Sequence, residues 1–326
     1  MKDLSKIKDE SLKAVIANTK ANDLESIIEL NARDKRIENL DGIQYLSNLR
    51  KVKLGRNSIK DISPLSELSN LTGVFLENNL IKEITPLKKL KSLPALNISN
   101  NQISNAESFT AKHKITWLDL SNNFIEDAEY LSRCEFLTTL NLSSNNIEGF
   151  NDFHSHDRLR HLNISDNKIE GEVRIKSMQR LRSLDISNNY ISNLICEEIH
   201  PKLQQLDVSS NSINELSFLR SFANLTSFVA SDNLINSTNE ISSLIQLRIL
   251  YLWHTGIKNV TGLEQLKNLE ELGIADNNIE SILNLKELKK IKLLLIGGNH
   301  KIASEEIQLF KTIVEEDFRS PDWKEL

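Results

Sequence analysis

The chain has 326 residues, of which 39% are hydrophobic and 26% charged, and its formal net charge is −5. A net negative charge argues against a general affinity for nucleic acid, and no run approaches the roughly 18 apolar residues of a membrane span. The two cysteines, Cys134 and Cys196, make no disulfide framework and read as small buried thiols in a reducing compartment.

In chain order, the first segment is Asp3 to about Lys20. Leu4, Ile7, Leu12, Val15 and Ile16 fall on one side and lysines on the other, which predicts an amphipathic helix acting as a cap over residues 1–22. The opening MKDLSKIKDE leads into no apolar run of the secretory kind, so a cytoplasmic protein is expected.

From residue 23 to 301 one frame repeats. Leu181, Leu184 and Ile186 are followed by Asn189 and Ile191, and the same frame restarts every 22 residues from Ile27 to Ile291, thirteen times without insertion or deletion. The fourth and sixth places alternate with polar residues, as a short strand with one buried face requires. The eleventh place is isoleucine in twelve successive units, Ile37 to Ile279. One unit cannot bury this stripe alone; stacked units make a continuous core. The ninth place is Asn at 57, 79, 101, 123, 145, 167, 189, 211, 233, 277 and 299, interrupted by Thr255 and preceded by Lys35. An amide there can pair backbone groups that the turning chain leaves without partners.

The pattern LxxLxLxxNxI at this period resembles the leucine-rich repeat. Leu40 to Leu46 (LDGIQYL) and Asp61 to Leu65 (DISPL) further resemble the entry to the repeat domain of bacterial internalins. The 22-residue period is also shared with the leucine-rich regulatory subunit of a eukaryotic protein phosphatase. The resemblance implies an α/β, right-handed leucine-rich-repeat solenoid with a parallel sheet on the concave face, and protein recognition on that face. Apolar residues three apart, as in Ile62, Leu65 and Leu68, predict mainly 3₁₀ or short helices on the convex face, with Pro64 and Pro86 opening two of them. Lys112, His156, Glu172 and Glu197 stand where apolar residues are expected, so the outer side should deviate there.

Residues 302–326 are expected to form a C-terminal helical cap and tail. Ser304 reads as N-cap with Glu305 and Glu306 behind it, Ile307, Phe310, Ile313, Val314 and Phe318 form a stripe, and Pro321 and Trp323 belong to the tail.

Candidate binding residues come from the outward places, the third, fifth, seventh and eighth of each unit. Ser recurs at the seventh place from Ser99 to Ser231, and Asn or Asp at the fifth from Asn97 to Asp207. This is either a hydrogen-bonding floor or repeat wording that solvates the sheet. The breaks say more. Ile249, Tyr251, Trp253 and His254, flanked by Val229, Leu293 and Leu295, form one apolar and aromatic patch, with Gly273 and Ala275 expected to leave a depression beside the rings. Phe75 and Trp117 around Ala95 make a smaller candidate beside Lys51, Lys53 and Arg56. Acids, among them Asp185 and Asp207, dominate from the middle onward, which suits a protein partner with a basic segment.

The motifs GxGxxG, Walker A, HExxH, GxSxG and paired CxxC do not occur. The cluster of Asp152, His154, His156 and Asp157 matches no familiar metal-site spacing. Matches to N-x-S/T, such as Asn97, Asn141 and Asn163, fall out of the repeat wording. The expectation is a monomeric, non-enzymatic protein-binding module without cofactor, metal, nucleic acid or membrane. A regulatory subunit of an enzyme such as a protein phosphatase, or a bacterial effector acting on host proteins, are the alternatives.

Overall fold

The computed structural model describes residues 3–109, 112–150, 156–176 and 178–314, together with the backbone of 317–319. It divides into two compact units, residues 1–168 and 169–326.

The first unit begins with a 3₁₀ turn, Leu4–Lys6, and a helix α1, Glu10–Ala17. The single helix expected over Asp3 to Lys20 is therefore broken, and Asp9 is the reason. Its carboxylate accepts from the Leu12 amide as an N-cap, while its other oxygen accepts from the Glu38 and Asn39 amides. A capped start at Asp9 holds the preceding residues extended, and the Lys8 N–H donates to the Asp41 carbonyl. Ile7, Leu12 and Ile16 are buried, whereas Leu4 and Val15 are only half-buried. Gly42, at φ 100°, lets the Lys6–Ile7 backbone pass in close contact, which no side chain at that position would permit.

Seven parallel strands follow: β1 Glu29–Asn31, β2 Lys51–Lys53, β3 Gly73–Phe75, β4 Ala95–Asn97, β5 Trp117–Asp119, β6 Thr139–Asn141 and β7 His161–Asn163. Each aligns with the next at a 22-residue offset, for example Leu96 with Leu118. The sequence period is thus also the sheet register. The middle residue of every strand points into the core; Val52, Val74, Leu96 and Leu118 are all fully buried. On the outer side, 3₁₀ turns occur at Ile43–Tyr45, Ser63–Glu67, Thr85–Lys89 and Glu129–Arg133, with Pro64 and Pro86 in the first turn as expected. Where Lys112 interrupts the apolar row, the lysine stays exposed and His113 enters the core instead, edge-on to Phe109 with ring centroids 5.9 Å apart. His156 is fully buried in its row; Asp152 and His154 lie outside the described residues.

The second unit contains two sheets. β8, Glu170–Ile175, and β10, Tyr190–Cys196, pair in parallel on the outer side, a replacement of the expected 3₁₀ turns in these two coils. The local pattern explains it: Val173 and Ile175 alternate with Glu172 and Arg174, a period of two with β-branched residues. Glu172 and Glu197 remain outside, each within ion-pair distance of Arg174. The repeat strands are β9 Ser183–Asp185, β11 Gln205–Asp207, β12 Ser227–Val229, β13 Ile249–Tyr251, β14 Glu271–Gly273 and β15 Leu293–Leu295. Four 3₁₀ turns recur at Ser217–Ser221, Asn239–Ser243, Leu263–Gln265 and Leu283–Glu287.

The C-terminal helix α2 spans Ser304–Ile313, and its N-cap is Ala303 rather than Ser304, which already lies inside the helix. Glu306 instead turns back to the last repeat but one, accepting from the Ile282 amide at 2.7 Å and the Ser281 hydroxyl at 3.0 Å. The helix stops before Phe318. That residue belongs to a further strand, β16 (Asp317–Arg319), aligned with β15 so that Phe318 stands opposite Leu294. Pro321 and Trp323 lie outside the described residues.

Cys134 is buried and Cys196 half-buried, and burial pushes both thiols up to about 12. At neutral pH both are neutral thiols.

Candidate functional site

The asparagine row and the left-handed row beside it shape the strand ends. Asn101 shows the ladder: its amide donates to the Leu76 and Ile98 carbonyls, and its Oδ1 accepts from the Ile81 amide of the preceding coil. Where Thr255 stands instead, Asn277 Oδ1 takes three donors, the Thr255 amide and hydroxyl and the Gly256 amide. One place earlier, the eighth residue has positive φ in coil after coil, including Asn78, Asn100, Asn122, Asn188, Asp232, His254 and Asp276. Asn and Asp tolerate this conformation best, which accounts for their prevalence.

A 22-residue frame, an in-register parallel sheet and a buried asparagine row define one architecture. The chain has the leucine-rich-repeat fold. Family models described as Leucine Rich repeats (2 copies) match residues 157–198 and 245–290, and one described as Leucine Rich repeat matches residues 133–149. No curated protein matches the sequence. Among solved structures, the repeat protein is similar to an internalin (InlF) of Listeria monocytogenes, at 23% identity and TM-score 0.75, covering 97% of this chain and 90% of that one. It is similar also to the functional domain of InlJ from Listeria monocytogenes, described as including a cysteine ladder, at 21% identity and TM-score 0.78, covering 91% and 73%. The chain in a TLR13–ssRNA13 complex matches at 20% identity and TM-score 0.67, covering 89% and 50%. The likeness to the internalin structures is one of fold. No helix among the described residues is long and apolar enough to cross a membrane.

On the strand face the fifth and seventh places of most repeats satisfy each other. Asp119, Asp185 and Asp207 each accept from the amide and hydroxyl of the serine two residues on, Ser121, Ser187 and Ser209, and Asn97 and Asn163 do the same with Ser99 and Ser165. The serines and carboxylates therefore act first as local turn braces. Asp185 and Asp207 face each other in register, and burial, assisted by Asp185, raises the Asp207 carboxyl above its usual range against the opposing Ser209 bonds.

Three consecutive repeats of the second unit depart from that wording. Register lines up Ser227, Ile249, Glu271 and Leu293 in one row, and Val229, Tyr251, Gly273 and Leu295 in the next. Val229, Ile249, Tyr251, Leu293 and Leu295 are half-buried, Trp253 is 40% exposed and His254 is exposed. The structure thus brings the expected residues into one patch. Tyr251 and Trp253 meet edge to face, with centroids 5.5 Å apart at 64°. The depression expected over Gly273 is occupied: a Cβ there would collide with Trp253 Nε1 and Tyr251 Cδ1, so both rings lean into the space the glycine leaves. The Tyr251 hydroxyl donates to Glu271 Oε2 at 2.7 Å, and burial followed by that carboxylate pushes the phenol up to about 12. The Trp253 amide donates to Ser231 Oγ at 3.0 Å, and His254 Nδ1 lies 2.9 Å from Asp232 Oδ1. These bonds fix the backbone and neighbours of the rings while leaving Trp253 open. Glu271 and Ser231 as ring supports were not apparent from the sequence, because their role depends on the cross-strand pairing.

The smaller patch lies in the first unit. Phe75 and Trp117 sit 6.3 Å apart at 38° across Ala95, with Lys51 Nζ 5.6 Å from the Phe75 centroid. Both rings are half-buried. Arg33 reaches Glu77 at 3.0 Å beside them, so part of the local positive charge is already paired.

Proposed function

We propose that the protein is a non-enzymatic docking module that engages a protein partner through the strand face of its second unit. The observation that carries this reading is the Tyr251–Trp253 pair, set outward on a sheet whose six coils from Asn97 to Ser209 carry asparagine or aspartate at the fifth place and serine at the seventh. An exposed tryptophan braced from below has low entropy to lose on binding, and Trp and Tyr are the residues that most often anchor interfaces. Apolar neighbours at Ile249, Leu293 and Leu295 supply the surrounding dry contact.

The outward places of the six repeats in this unit carry Asp185, Asp207, Asp232, Glu271 and Asp276 and no lysine or arginine. A phosphate backbone would be repelled there, which favours a protein over the RNA of the TLR13 complex as the ligand class. The test is affinity capture with the full chain, identification of the partner, and measurement of its Kd against a Trp253→Ala, Tyr251→Ala variant. The expected outcome is a loss of at least about 2 kcal/mol, roughly thirtyfold in Kd, with circular dichroism unchanged. Unchanged affinity would refute the assignment of this patch.

A further inference from the structure

Resting on the docking reading above, the geometry points to a partner of specific chemistry: an extended peptide segment that presents arginine or lysine between aliphatic residues, its cation received at the acidic rim of the Trp253 patch. Two features meet at this place. The first is the aromatic pair itself, with Trp253 open to solvent and Leu293 and Leu295 two repeats on. The second is a hollow of about 460 Å³ along the adjoining strand ends, lined by Asp232, His254, Asp276, Leu234 and Gly256 among others.

The hollow exists because of what the repeat omits. In the row after the asparagines, Leu234 stands out with 63% of its surface exposed, while the next coil has Gly256, where an added Cβ would meet nothing within 4 Å. Asp232 and Asp276 border the gap from the coils on either side of His254, and no lysine or arginine lines it. His254 takes one oxygen of Asp232. The nearby cations of the strand starts, Arg248 and Lys292, are already held by Glu270 at 2.7 and 3.5 Å.

Charge complementarity therefore selects the occupant. Carboxylates that no lysine or arginine pairs, in a hollow lined by the residue next to an exposed tryptophan, match a guanidinium or ammonium head on an alkyl stem. Arginine suits them better than lysine, since its planar fork can engage a carboxylate through two hydrogen bonds and its face can stack on an aromatic ring. The aliphatic residues of the segment would rest on Ile249, at the start of the strand that carries Tyr251, and on Leu293 and Leu295, which register places two strands on.

The test uses a fluorescein-labelled decapeptide alternating arginine and leucine, and its citrulline counterpart, which keeps the shape and hydrogen bonds but not the charge. Binding to the full chain is read by anisotropy. The expected result is binding of the arginine peptide that weakens about tenfold on citrulline replacement and about tenfold for Asp232→Asn, Asp276→Asn. These variants keep the fold, because asparagine already occupies the same left-handed place at Asn78, Asn100, Asn122 and Asn188. If both peptides bind equally and both need Trp253, the docking patch stands and the cation preference is overturned. If arginine-peptide binding is unaffected by Trp253→Ala, the docking reading falls with it. Absence of binding by the arginine peptide, or its full retention in the double asparagine variant, would overturn the inference directly.

Discussion

At the scale of single residues, the asparagine row braces the backbone of the turns wherever it is unbroken. Asn101 satisfies two carbonyls and one amide at distances of 3.0 to 3.1 Å, in a site only 6% exposed. Asn101→Ala should cost about 2 kcal/mol or more, read as a lowered urea midpoint, because buried backbone groups lose their partners together. His200 makes a different prediction. It occupies the row filled by Phe222, Leu244, Leu266 and Leu288 in later coils, is 1% exposed, and has its ring 5.7 Å from that of Phe222 and Nδ1 3.5 Å from the Met178 carbonyl. Burial lowers its pKa below the ordinary 6.5, an effect only partly offset by the Met178 carbonyl and the Glu198 charge. The unfolded chain then binds the proton more readily than the folded one, so stability is full above about pH 6.5 and is lost as the pH falls below it. Urea midpoints measured at about pH 7.5 and about pH 5.5 should differ less in His200→Leu than in the unaltered chain. An equal or larger difference in the variant would exclude this histidine as a source.

At the scale of elements, Gly273 determines how β13 presents its rings. Gly273→Ala should displace Trp253 and Tyr251, since the new methyl needs the space they occupy, and break the Tyr251–Glu271 bond. A shift in tryptophan emission and about tenfold weaker partner binding are expected without loss of the sheet. A variant with wild-type emission and affinity would show that the rings are not held by this contact. The strands, their register and the outward patch were legible from the frame alone, because one repeat fixes both which residues are buried and which coils are neighbours. What the sequence hid was local competition. Asp9 caps α1 and splits the expected N-terminal helix, alternation at Val173 and Ile175 turns an outer coil into β8, and Phe318 joins β16 instead of extending α2. The filled space over Gly273 was also hidden, since a missing side chain does not say which neighbour leans into it.

At the scale of the whole molecule, the proposed docking face is the acidic, aromatic strand face of the second unit, while the first unit carries Lys51, Lys53 and Arg56 around a half-buried aromatic pair. Opposite charge on a partner would speed its approach to the second unit, so association should slow as salt rises while the apolar anchor keeps dissociation nearly constant. The most direct test of the account is hydroxyl-radical footprinting of the full chain, free and bound to its captured partner. Protection should appear at Trp253, Tyr251 and Leu295, with Ile245 and Leu283, both exposed outside the strands, unchanged. Protection of Ile245 and Leu283 with Trp253 still fully reactive would contradict it.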